Sequence, residues 1–187
     1  MTKSWLAAAL ATTLIAPGAL AAPDDDFQKT RTEAVEISVG QRQPFGGLDT
    51  MAARTGSWSV NTFYVDWTGT DSSRTAYWIV RRVTGSRLKA PIVQWADSRS
   101  CPAVRSILEG LQGLRAPRPD VPGVGAPREL SVVADGESHD LWLNWAIYPN
   151  DARGDLRMEG NVGSPVGDWW DAALPKLEVC WTGKIPA

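Results

Sequence analysis

The 187-residue chain is short of the residue types that most enzyme chemistry requires. It has one histidine, His139, and two cysteines, Cys101 and Cys180. One imidazole and no HExxH pair leave no zinc constellation. Triad catalysis needs a histidine placed between a nucleophile and an acid. Ser138-His139-Asp140 is contiguous, but in a strand the middle side chain points away from its neighbours, so these three do not serve one another. His139 therefore reads as a residue of the surface or core edge beside a turn. There is no G-x-S-x-G elbow, since Gly163-Ser164-Pro165-Val166-Gly167 has the wrong spacing. Gly46-Gly47 lacks the lysine and the spacing of a phosphate loop. Asp24-Asp25-Asp26 and Asn150-Asp151 lack the spacing and glycine of an EF-hand. The sequence thus predicts no metal, no cofactor and no motif-borne catalytic residue.

Charge of one sign is also missing. Lysine and arginine number 19 against 21 aspartates and glutamates. Such a balanced, slightly acidic chain argues against a nucleic-acid partner and against an anionic membrane surface. Long apolar runs are absent after the N-terminus, so no transmembrane span is expected in the mature chain.

The N-terminus itself has a distinct pattern. Lys3 is a short basic region, Trp5 to Ile15 is an Ala- and Leu-rich apolar stretch, and Pro17-Gly18 break it. Ala19-Leu20-Ala21 then fits the small-x-small rule of signal peptidase, which places cleavage after Ala21. The apolar stretch is too short for a hydrocarbon core that takes roughly 20 residues to cross. No cysteine adjoins the cut, which argues against a lipoprotein. Residues 1–21 are expected to be a cleaved signal peptide, and the periplasm or the medium is the expected destination. The signal holds one basic residue and no acidic one, so the mature chain has a formal charge of −3.

Residues 22–187 have the size of one ordinary domain and can bury a core without help from cross-links. Export nevertheless favours pairing Cys101 with Cys180. That bond closes a loop of roughly 80 residues, a constraint of about 4–5 kcal/mol by chain entropy. CxxC spacing, the mark of a redox pair, is absent. Tryptophan is abundant, with ten residues against three tyrosines and three phenylalanines. Most are expected in the core, and any exposed ones are candidates for a sugar or ligand platform.

Periodicity predicts an α+β fold, mostly antiparallel. The first mature residues read as disordered. Thr32–Val39 alternates like a strand, and Phe45-Gly46-Gly47 reads as a turn. Ser57–Thr68, Thr75–Val83 and Pro91–Trp95 form a meander. The first of these changes phase midway, which implies a bulge or burial on both faces. Val104, Ile107, Leu108, Leu111 and Leu114 form one apolar stripe, so a helix spans about 102–114, with Pro102 at its first position. Residues 116–128 are a Pro-rich linker inside one domain. Leu130–Ala134 and Ser138–Tyr148 flank Asp135-Gly136 and read as a hairpin. Leu156–Glu159 is a short strand, 165–174 a short second helix, and Leu177–Trp181 a closing strand.

Asp168-Trp169-Trp170-Asp171 is the candidate binding stretch. On a helix the two carboxylates share a face beside two indoles, a combination suited to a sugar. The competing reading makes Asp168 an N-cap and Asp171 a first-turn anion, with the tryptophans anchoring the helix. Function is therefore expected to be that of an exported, non-enzymatic binding or accessory module, whose partner is an envelope protein, a glycan or a small ligand. The alternative is a carboxylate-dependent hydrolase of envelope glycan, using Asp168 or Asp171 and Glu159.

Overall fold

The computed structural model describes residues 23–40, 42–70, 72–116, 123–125, 136–147 and 153–187. The signal segment, the hairpin arm 130–134 and most of the Pro-rich stretch 116–128 lie outside these. The fold is α+β. Helix α1 (Pro23–Glu36) precedes strands β1 (Pro44–Ala52), β2 (Ser57–Thr68), β3 (Thr75–Ser86) and β4 (Lys89–Asp97). Helix α2 (Pro102–Gly110), β5 (Glu137–Ile147), β6 (Arg153–Asn161) and helix α3 (Pro165–Leu177) follow. The six strands make one antiparallel sheet in the order β4-β3-β2-β1-β5-β6.

Helices cover both faces of this sheet, and strand alternation sends successive side chains to opposite faces. One face packs Leu48, Phe63, Val80, Ala96, Leu141 and Met158 against Val104, Ile107 and Leu108 of α2 and Val166, Trp170, Ala173 and Leu177 of α3. The other packs Met51, Trp58, Val60 and Val83 against Phe27 and Ala34 of α1, and gathers Tyr64, Tyr77, Ile79 and Trp95 in a separate small cluster with Val39. β2 is buried from Val60 to Tyr64 without interruption. The phase change in its sequence therefore reflects burial on both faces, and its pairing with β3 runs unbroken from Trp58 to Thr68.

The Cys101–Cys180 disulfide lies on the larger core, with Cα atoms 5.8 Å apart. Cys101 is the N-cap of α2, followed by Pro102 in the first turn. Cys180 ends the 3-10 turn Glu178–Cys180 that prolongs α3.

Five expectations need correction. Residues 23–36 are helical, so neither a disordered start nor a strand over 32–39 forms there. Phe27 and Ala34, seven apart, are the buried residues that hold this helix, with three aspartates in its first turns where the helix dipole favours anions. Val35 points largely to solvent, so the local alternation was no guide to burial.

Phe45-Gly46-Gly47 is strand, not turn. A Cβ on Gly47 would collide with the Trp142 ring, and one on Gly46 with the Leu143 side chain. The glycines are there because neighbouring side chains lie across the backbone.

β5 forms as expected and is paired with β1 on one edge and β6 on the other over residues 138–143. The closing strand over 177–181 is replaced by the end of α3 and its 3-10 turn, because Ala173, Leu177 and Cys180 are all buried at helical spacing. One isolated bridge, between Trp95 and Thr182, joins the C-terminal segment to β4. Finally, α3 runs past Pro175, three residues beyond its expected end.

Candidate functional site

The smaller core leaves part of its face uncovered. Beyond Phe27, α1 stands off the strands β1, β5 and β6, and an open cleft of about 600 Å³ lies between them. Phe27, Gln28 and Arg31 form its helical wall.

Its floor follows from register. Asp49 of β1 is paired with Asp140 of β5, and Asp140 with Glu159 of β6. Three carboxylates therefore stand in one row across adjacent strands. Like charges directly opposite one another destabilise a sheet unless something compensates. Two arginines do so. Arg157, on the same strand face as Glu159, donates two hydrogen bonds to Asp140, 2.9 Å from Nε to Oδ1 and 2.7 Å from Nη2 to Oδ2. Its Nη2 also lies 3.1 Å from Glu159 Oε1. Arg31 enters from α1, with Nε 2.8 Å from Asp49 Oδ2 and Nη2 against Asp140 Oδ2.

Asp49 is the unusual member of the row. It is 2% exposed. Neither of its carboxylate oxygens has a donor in line among the described residues, so Arg31 meets it as a charge at an angle, without a directed hydrogen bond. Burial pushes its carboxyl up to about 6, and the nearby charges of Arg31 and Arg157 only partly oppose that.

His139 sits one residue from this row, on the opposite face. It is 1% exposed under the first turn of α3, the third residue of β5, which corrects the surface reading and leaves the core-edge one. Neither ring nitrogen has a partner among the described residues. Its strand partner Gly160 is small for a reason: a Cβ there would overlap Ser164, whose hydroxyl caps α3 by accepting from the Gly167 N–H at 3.1 Å. His139 and Asp140 thus belong to different sites, as strand alternation requires.

The candidate stretch on α3 is split between core and solvent. Trp170 is buried in the larger core. Trp169 is half-buried, tilted against Trp170 with ring centroids 5.6 Å apart, and donates through Nε1 to the Ile107 carbonyl at 3.2 Å. Asp168 and Asp171 are exposed. Ser164 is the cap, so Asp168, read from the sequence as the cap, lies instead in the first turn, and Asp171 falls beyond it. Trp170 also borders a small hollow of about 260 Å³ with Arg82, Ser59 and Thr50. Glu159, the third carboxylate of the glycan-hydrolase reading, is on the far side of the sheet, in the cleft.

Arg81 and Arg82 of β3 are half-buried. Arg82 stacks 3.9 Å from the Trp181 ring centroid and donates to Gln94 Oε1 at 2.8 Å. Among the described residues, no group of three His, Cys, Asp or Glu side chains could hold a metal ion.

The cleft residues Arg31, Asp49, Asp140 and Arg157 are not evident as a group in the sequence. The available signal was charge recurring every second residue in strands, as in Arg157 and Glu159, which marks a polar sheet face. Register then decides which charges meet. No family model, no curated protein and no solved structure matches this chain.

Proposed function

We propose that the chain is an exported, non-enzymatic binding or accessory module of the periplasm or the medium, and that the cleft between α1 and β1-β5-β6 takes its partner. Export rests on the pattern of residues 1–21. It is supported by the disulfide, which belongs to an oxidising compartment. Among the described residues no helix is long and apolar enough to cross a membrane.

One observation carries the choice of binding over turnover. The cleft is open and lined by hydrogen-bonding groups, yet its carboxylates are engaged by Arg31 and Arg157 or buried. A general acid or nucleophile must reach the bond it cleaves, and both Asp49 oxygens are enclosed. Groups arranged this way hold a ligand in place.

Hydrogen exchange of the purified exported chain, with and without envelope extract, tests the reading. Added protection is expected at residues 27–31, 49–51, 138–140 and 159–161, and its absence there would remove the cleft from consideration.

The hydrolase reading draws support from one feature, a carboxyl raised to about 6 in the same row as Asp140 and Glu159. Incubation with purified peptidoglycan separates the two. The binding reading expects no release of soluble fragments. Release that disappears in Asp49→Asn and Glu159→Gln would overturn it in favour of hydrolysis.

A further inference from the structure

A second hollow, of about 380 Å³, adjoins the cleft. Arg31 borders both cavities, and so stands between them. The second is lined by Val35, Trp142, Leu143 and Leu156, with Asn144, Asp155 and Arg157 at its polar side. The side chain of Arg31 is 28% exposed, so part of it reaches solvent between the two hollows. Removing its guanidinium would join the two hollows into one trough along β5 and β6, with an acidic row at one end and an apolar pocket at the other.

The acidic row has the form of a guanidinium site. Asp49 and Asp140 stand opposite each other on neighbouring strands, and the flat fork of Arg31 spans both. Guanidinium matches paired carboxylates in this way because its donors are planar and fixed. The fit of Arg31 is incomplete, since Asp49 is left without an aligned donor despite being almost fully buried. A buried carboxylate in that state is costly, and a donor approaching along its lone pairs would relieve the cost. Three carboxylates face two arginines across the row, so removing Arg31 leaves an excess of two negative charges.

We infer that the row is a receptor for an arginine side chain of a partner peptide, that Arg31 occupies it in the free protein, and that the partner's guanidinium displaces Arg31 while a neighbouring apolar residue enters the pocket beside Trp142. The inference rests on the cleft being the binding site and adds the chemistry of what it takes. Arg31 is then an internal competitor. Any affinity measured on the unaltered chain is reduced by the fraction of time Arg31 fills the site.

The test is calorimetric titration of the exported chain with N-acetyl-L-argininamide, and with the uncharged citrulline analogue as control. Arg31→Ala is expected to bind argininamide at least tenfold more tightly than the unaltered chain and to ignore the citrulline compound. Adding Asp49→Asn to Arg31→Ala is expected to abolish the gain. Arg31→Gln retains most of the side-chain stem and serves if the alanine variant is poorly folded by circular dichroism. Failure of both variants to prefer argininamide over the citrulline analogue would overturn the inference. If envelope extract still protects the cleft from hydrogen exchange, the binding reading survives and only the arginine assignment falls. If that protection is also missing, both fall.

Discussion

The two faces of the sheet differ in what covers them. On one, α2 and α3 close over a continuous apolar cluster that runs from Ala96 to Met158, and the Cys101–Cys180 bond ties the two helices together. On the other, the apolar contacts are split into two small clusters, one around Phe27 and Ala34 of α1 and one around Val39 and Trp95, and β1, β5 and β6 carry a row of charges. Burial of apolar area accounts for most of a domain's stability. The first face therefore holds the fold, while the second is free to carry groups that weaken it, such as the enclosed Asp49. Binding sites are drawn from regions of low local stability for this reason.

The comparison breaks most readily at the disulfide. Cys101→Ser with Cys180→Ser frees a loop of 79 residues. The loss is expected to approach about 4–5 kcal/mol in denaturant unfolding, the chain-entropy figure being an upper bound. An unchanged midpoint would mean that helix packing alone holds this face.

Next in size is Trp170→Ala, which empties the larger core and is expected to cost about 3–5 kcal/mol in global stability. Phe27→Ala removes an aromatic ring that is buried to a similar degree on the other face, at 5% exposure. Its effect is expected to be local. Exchange should quicken through α1, and the global midpoint should move less than for Trp170→Ala. Equal shifts in the two midpoints would show that the faces share one core energetically.

The third effect has the opposite sign. The Asp49 carboxyl titrates at about 6 in the folded chain against 3.8 ordinarily, and burial is the main cause. The folded state then binds this proton more tightly than the unfolded state does. The penalty is absent below about pH 4, grows as pH rises toward about 6, and is complete above it. The difference between 3.8 and about 6 corresponds to about 3 kcal/mol. Asp49→Asn is therefore expected to stabilise the chain by up to that amount at neutral pH, and by little near pH 4. Parallel urea melts at the two pH values check this, and an identical pH dependence in both chains would remove Asp49 as the source.

The smallest effect is expected at Asp168 and Asp171. Both are exposed on α3, so replacing them with asparagine should change stability by less than about 0.5 kcal/mol. It should also leave exchange protection at the cleft unaltered. Loss of binding in this variant would move the site from the cleft to the helix.

How much of this was legible beforehand differs from element to element. The α2 stripe was readable from the helical spacing of its apolar residues, β2 and β3 from their β-branched and aromatic content, and β5 from the alternation of Leu141, Leu143, Trp145 and Ile147 in the sequence. α1 was missed because, among its residues of described burial, only Phe27 and Ala34 are buried, seven apart, and an alternating stretch near its end resembled a strand. The signals that could have found it are Pro23 followed by three aspartates, and the Lys29–Glu33 pair four residues apart. β1 was missed because its glycines answer to Trp142 and Leu143, nearly one hundred positions away in the chain.

Residue order alone determined the α+β class, the main helix and which two sulfurs were available to join, since each depends on local periodicity or on a count. Tertiary structure decided that Asp49, Asp140 and Glu159 form one row and that Arg31 lies across it. Those residues come from four separate segments, and only the order and register of β1, β5 and β6 set the distances between their charges. Coulombic and hydrogen-bonding interactions depend on those distances and on burial, and neither quantity exists until the sheet has assembled.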